Sequence, residues 1–325
     1  LRSRYSRVRR ASGARRAAVP KRSAEGACHI GPFRAADARR WVAMTLRDFW
    51  GALCYLRHLV RVLFIGEIVG KAGVYCVKTL LSDLRAELGL DFVIANGDGA
   101  TGGFGLGKNH SIYLRKLGID VITGGEQIYF KKDMVPHIES AYYLLRPANY
   151  PPGTPGRGWR YYNLTGDARI AVISMLGQSG YERVHASNPY TYLPELAARA
   201  RNETPHVIVD FHATTTAEKY TMFHHADGEV SAIIGTGTRV QTADARIMPR
   251  GTAVIGDAGR TGSRDSVSGL DPGPEIRKFL TGVPERSSDT WVNIELQGVL
   301  LDLDDEGKAT AITPVQRAAP EPSGE

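Results

Sequence analysis

The chain has 325 residues, 42% of them hydrophobic, enough for one large globular domain or two small ones with a real core. Its formal charge is +7, but residues 1–59 hold 14 Lys and Arg against 3 Asp and Glu, and the remainder holds 27 against 31. The basic character belongs to the N-terminal extension, which excludes reading the domain as a nucleic-acid binder from its isoelectric point; no run of roughly 18 apolar residues marks a membrane span.

Residues 1–40 are rich in Arg, Ser and Ala and too poor in aliphatics to fold alone. Residues 41–57 mix aromatic and basic side chains in the manner of a short amphipathic helix. The first residue is Leu and Val60 stands directly before the first apolar run, so 1–59 reads foremost as an over-extended start. A basic tail for nucleic acid or an anionic membrane, and a transit-type segment, are the alternatives; a secretory signal fits less well. Cys28, Cys54 and Cys76 are odd in number and lack metal spacing, which suits reduced thiols in a cytoplasmic protein.

From Val60 the pattern changes. Val62–Ile65 is a buried strand running into Gly66 and Glu67, and a helix is predicted over about 72–88 from apolar Val74, Val77, Leu80, Leu81 and Leu84. A strand over 92–95 leads to Asn96, Gly97 and Asp98. A glycine-rich loop, a helix over about 109–117 and a strand over 119–123 follow, the last running into Glu126 and Gln127. This β-α-β-α-β order implies an α/β fold. The proline-rich stretch 146–156 reads as loop. Strands are predicted over 159–163 and 169–175 and a helix over 192–201. Val207–Phe211 then delivers His212 to a sheet end ahead of a polar loop, Thr214–Thr216. A strand over 230–234 precedes Gly235–Arg239. Thr252–Ile255 and two alternating strands, 290–296 and 298–303, complete a domain over 60–317, with 318–325 as a disordered tail.

Four strands thus end on groups able to bind a metal: Glu67, Asp98, Glu126 and His212. Open α/β sheets keep their chemistry at such ends. The glycine loop 102–107 is not a P-loop, since Asn109 follows Lys108 where Ser or Thr is required. Its glycines read as allowing close approach to a site.

The order of these motifs, with Arg146-Pro-Ala-Asn149, Gly153-Thr-Pro-Gly156 and Asp257-Ala-Gly-Arg-Thr-Gly262, resembles the calcineurin-like metallophosphoesterases, and within them the YmdB-like bacterial branch of cyclic-nucleotide phosphodiesterases. The resemblance spans about 60–317. It implies a four-layer αββα sandwich with two metal ions at the sheet edges and phosphodiester hydrolysis by a metal-bound hydroxide.

Position by position, the implied site has drifted. Glu67 stands at the family's first Asp, and Asp98-Gly99 at its Glu-Asn. Glu126-Gln127 stands at its Asn-His, so Gln127 holds the catalytic acid's position. His212 is kept, while Gly237 and Arg239 stand at two histidine ligands. Gln127 has no proton to deliver, Gly237 has no side chain to ligate, and the permanent cation of Arg239 repels a metal. Arg239 is expected in the first ion's place, paired with Glu67 and Asp98 through its forked guanidinium. His185, His224 and His225 are weak candidates for a replacement acid.

A divalent ion of the Mn, Fe or Zn type is expected at Asp98, Glu126 and His212, with one or none favoured over two. Three functions compete: a catalytically impaired protein that binds a phosphate or nucleotide, an active phosphodiesterase on 2′,3′-cyclic nucleotides or similar small phosphodiesters, and a structural partner protein. Nucleic-acid binding through the domain is not expected, and homo-oligomerisation stays open.

Overall fold

The computed structural model describes residues 59–181 and 184–322. The basic extension up to residue 58 and the last three residues lie outside the described residues.

The first half builds one sheet by alternating strand and helix. β1 (Val60–Ile65) breaks at Gly66 and resumes as β2 (Glu67–Ile68). A Cβ at Gly66 would sit 2.5 Å from the Gly259 carbonyl, so only glycine lets the two backbones pass there. α1 (Gly70–Leu88) ends on Gly89, whose left-handed φ of 60° returns its N–H to the Arg85 carbonyl. β3 (Phe92–Asn96), α2 (Lys108–Lys116), β4 (Val121–Thr123), α3 (Met134–Ser140) and β5 (Leu144–Leu145) follow.

The second half adds β6 (Trp159–Asn163), β7 (Arg169–Leu176), α4 (Pro189–Arg201), β8 (Val207–His212), α5 (Thr216–His225), β9 (Ala232–Thr236), β10 (Arg246–Ile247) and β11 (Ala253–Ile255). β12 (Arg260–Ser263), α6 (Pro272–Thr281), β13 (Ile294–Leu303) and β14 (Ala309–Ala318) close the domain. One sheet has the order β2-β12-β13-β1-β3-β4-β5 with β14 on β13, and the other β10-β11-β9-β8-β7-β6.

Side-chain alternation along the strands makes the layers. On β1, Val62 and Phe64 pack with Val172, Ile208 and Ile234 on the inner face of the second sheet. Leu63 and Ile65 point the other way, to Val77, Leu81 and Leu84 of α1 and Leu114 of α2. On β8, Val207, Val209 and Phe211 face Leu193 and Ala197 of α4 and Met222 and Phe223 of α5. The arrangement is the expected α/β, four-layer αββα sandwich.

Two local expectations are corrected. The strands expected over 290–296 and 298–303 are one continuous strand, Ile294–Leu303, hairpinned to an unforeseen partner, Ala309–Ala318. Gly298 is not a break: a Cβ there would lie 2.4 Å from the Phe64 carbonyl, so the glycine permits close approach of β1. The polar stretch after His212 starts a helix, because Thr215 caps α5 by accepting from the Glu218 N–H at 3.3 Å.

α5 also buries a cation. Lys219, 2% exposed, places Nζ 3.0 Å from Asp257, which is 1% exposed. Asp257 further accepts from the Thr238 N–H and hydroxyl at 2.9 and 2.7 Å, fixing the segment that carries Gly237 and Arg239. Lys219→Met should cost about 3–5 kcal/mol in urea unfolding, since it strands a buried carboxylate; a loss under about 1 kcal/mol would show the pair to be dispensable.

Candidate functional site

β1, β3 and β4 run parallel, as do β7, β8 and β9, so each sheet gathers its strand ends at one edge. Asn96, Asp210 and His212, all buried, lie where the two edges meet. Asp210 is the clamp between the sheets. It accepts from Asn96 Nδ2 at 2.9 Å and from the Thr123 hydroxyl on one side, and from the Thr236 hydroxyl at 2.6 Å on the other. Burial pushes its pKa up, against the pull of His212 and of these donors. His212 is oriented by Thr236, whose hydroxyl lies 2.9 Å from Nδ1.

Arg239 reaches in from the loop after β9 with a left-handed φ of 58°, a conformation uncommon outside glycine. Its Nε and Nη2 both donate to Glu67 Oε1, at 2.9 and 2.6 Å. Nη2 also donates to the Gly103 carbonyl at 3.2 Å and Nη1 to the Ser268 carbonyl at 3.3 Å. The glycine loop thus approaches the site through a backbone carbonyl. Burial would lower the Arg239 pKa, but Glu67, by charge and hydrogen bond, raises it on balance.

Gly99 makes this pair possible. A Cβ at 99 would meet Arg239 Nη2 at 2.9 Å and Glu67 Oε1 at 3.0 Å. The expected second bond, from Arg239 to Asp98, is not formed. Asp98 turns away because its oxygens are taken by the Gly125 and Gln127 N–H groups, at 2.7 and 2.9 Å.

Asp98, Glu126 and His212 form a second cluster, with one potential ligand atom from each lying within 4.8 Å of the others. Glu67, expected beside them, is engaged by Arg239 instead. Glu126 Oε2 lies 2.8 Å from His212 Nε2, and Gln127 donates to Glu126 Oε1 at 2.8 Å. Burial alone would lower the His212 pKa, but Glu126, Asp98 and Glu67 raise it to about 10. Burial alone would raise Glu126, yet His212 and Gln127 draw it down to about 2. Asp98, wholly buried, is pushed up to about 7 by burial and by Glu126, against His212.

Two carboxylates and an imidazole are a donor set that one divalent ion of the Mn, Fe or Zn type can use. The guanidinium fills the space beside Glu67, and Gly237, at φ 102°, offers no donor.

A cavity of about 610 Å³ opens beside Glu126 and Gly237, walled by Tyr129, Phe130, Tyr150 and Tyr181. No motif marks these tyrosines in the sequence. Tyr181 stacks on His212 at 5.9 Å between ring centres, and its buried hydroxyl has no partner among the described residues. That hydroxyl would lie 3.2 Å from a Cβ at Gly237, so it occupies the direction a side chain there would take. Burial and the nearby carboxylates push its pKa up. His185, His224 and His225 are not among the residues walling the cavity; His225 bonds the Tyr190 carbonyl at 2.7 Å.

The sequence profile of the YmdB-like protein family matches residues 63–315. A 2′,3′-cyclic-nucleotide 2′-phosphodiesterase of Bacillus subtilis (strain 168) is 39% identical over 249 residues, 77% of this chain and 93% of that protein. The solved structure of a novel phosphatase from Mycoplasma pneumoniae superposes with a TM-score of 0.76 at 31% identity, covering 81% of this chain and 95% of that one. That of a hypothetical protein from Thermus thermophilus gives 0.74 at 32% identity, covering 80% and 100%. No helix among the described residues is long and apolar enough to cross a membrane. Fold, motif order and the extent of these matches agree: the chain belongs to the YmdB-like family of metallophosphoesterases.

Proposed function

We propose that this chain binds a phosphate or nucleotide ligand in the cavity beside Glu126 and is impaired in hydrolysis, because an arginine stands where its relatives' first metal ion would be held. One observation carries the reading: the guanidinium of Arg239 lies on Glu67 in space that Gly99 leaves free. Family membership fixes the fold and not the chemistry, which depends on the groups at the site.

Asp98, Glu126 and His212 would hold a single divalent ion, which when bound supplies charge for a phosphoryl oxygen. Arg239 supplies fixed positive charge to Glu67, but its bonds to Glu67, Gly103 and Ser268 leave it poorly placed to follow a substrate. Gln127 holds Glu126 and the Gly105 N–H, and an amide does not protonate a leaving oxygen. The tyrosine walls offer faces for a base. The alternative is an active phosphodiesterase on 2′,3′-cyclic nucleotides using that one ion. It is supported by the surviving trio and by the activity named for the Bacillus subtilis relative.

Turnover separates the two. With added Mn²⁺, the full chain should hydrolyse a 2′,3′-cyclic nucleotide at least about 10²-fold more slowly than the Bacillus subtilis protein, given what a lost general acid costs. The same nucleotide should still raise the unfolding free energy, by about 2.7 kcal/mol at a hundredfold excess over Kd. Turnover at the relative's rate would establish the alternative.

The arginine is testable by stability. Arg239→Met leaves Glu67, 2% exposed, without its cation and should cost about 3–5 kcal/mol, whereas the double variant Glu67→Leu, Arg239→Met should recover most of that. Equal losses in the single and double variants would mean that the pair does not act as a unit.

A further inference from the structure

A second cavity, about 570 Å³, lies away from the Glu126 site, where each sheet ends: β5 is the last strand of one and β6 of the other. It is lined by Arg146, Arg157 and Arg160 together with Trp159, Tyr161 and Tyr192, and by no Asp or Glu. None of its lining residues lines the Glu126 cavity. Residues 60–325 carry 31 acidic against 27 basic side chains, so three arginines around one hollow are a local excess against the domain's balance.

None of the three is paired with a carboxylate among the described residues. Arg146 spends both terminal nitrogens on its own loop, Nη1 donating to the Pro147 and Ala148 carbonyls at 2.7 and 3.3 Å and Nη2 to the Thr154 carbonyl at 3.5 Å. Its Nε is buried without an acceptor, and so is the Nε of Arg160. A buried donor left unpaired is costly, and native structures rarely keep one without a reason.

Charged residues also guard edge strands against pairing with other chains, and β6 is an edge. Guarding charges point into solvent, as Arg157 does, whereas Arg146 and Arg160 are half-buried against the cavity. Backbone contacts hold the arginine loop in this shape: the Arg146 N–H donates to the Arg157 carbonyl at 2.9 Å, and a Cβ at Gly158 would sit 2.2 Å from the Ala148 Cα.

We propose that this cavity is a binding site for a mononucleotide, its phosphate met by Arg157 and Arg160 with the charge of Arg146 behind them and its base laid against Trp159 or Tyr192. Guanidinium forks match phosphate oxygens and aromatic faces accept a base. The volume lies within the range of small-molecule sites, about 300–1,000 Å³, which favours a single nucleotide over a polymer. Arg146 lies beside Tyr129 of the Glu126 cavity, but the two cavities share no lining residue, and this site does not rest on how that cavity functions.

Trp159 is a local reporter. The full chain is titrated with adenosine 5′-monophosphate, adenosine and inorganic phosphate while tryptophan fluorescence is followed. Adenosine 5′-monophosphate should change the signal saturably, and Trp159→Phe should abolish that change. The double variant Arg157→Ala, Arg160→Gln should weaken binding about tenfold or more, as loss of charged hydrogen bonds does, while keeping the wild-type circular dichroism. His212→Gln, at the other site, should alter affinity by less than about twofold, as expected for separate sites. Inorganic phosphate should compete, and adenosine should bind more weakly than its monophosphate. The proposal is overturned if the double variant binds as the wild type does, if His212→Gln abolishes the response, or if no saturable change appears in the millimolar range. Equal binding of adenosine and its monophosphate would likewise reject it, since the arginines would then meet nothing.

Discussion

A carboxylate sealed from water at a sheet edge needs a positive partner, and at Glu67 that partner is Arg239. Several local features accommodate the guanidinium. Gly99 clears the path, since any side chain there would strike both members of the pair. Glu67 reaches one methylene further toward the arginine than an aspartate would. The glycine loop turns the Gly103 carbonyl onto Nη2, and Arg239 itself takes a left-handed backbone conformation to enter. Gly99, Glu67, the glycine loop and Arg239 therefore act as one unit.

The neighbouring groups are organised by the same principle. Glu126 and His212 close on each other, Gln127 steadies Glu126, and two backbone N–H groups hold Asp98. Tyr181 fills the direction vacated at Gly237 and covers the His212 ring. Beneath them Asp210 still ties the two sheets together through Asn96, Thr123 and Thr236. Scaffold and site share a support, since the Thr236 hydroxyl that donates to Asp210 also orients His212.

The strand-end pattern was legible because it is local. Buried runs closing on Glu67, Asp98, Glu126 and His212 carry a period and a polar stop within a few residues, and all four reach the shared edge. The pairing of Glu67 with Arg239 followed from charge once the family resemblance had put both at one site. What escaped was set by contacts distant in sequence. Asp98 was expected to share the arginine, but the N–H groups of Gly125 and Gln127 reach it only once β3 and β4 are aligned. Gly298 looked like a break because glycine usually is one, and only the neighbouring β1 backbone shows why it sits mid-strand. Tyr181 carries no motif, and the arginine cavity forms only where the 146–149 and 156–161 stretches meet Tyr192 of α4. The α5 helix was within reach: Thr215 and Glu218 have the spacing of a capping box.

The most direct test is an anomalous-scattering map from crystals of the full chain grown with excess Mn²⁺. The account predicts at most one anomalous peak, between Asp98, Glu126 and His212, with the Arg239 guanidinium still on Glu67. Two peaks roughly 3.5–4 Å apart, the spacing of two-metal hydrolases, with Arg239 swung out and Glu67 gripping an ion, would contradict it.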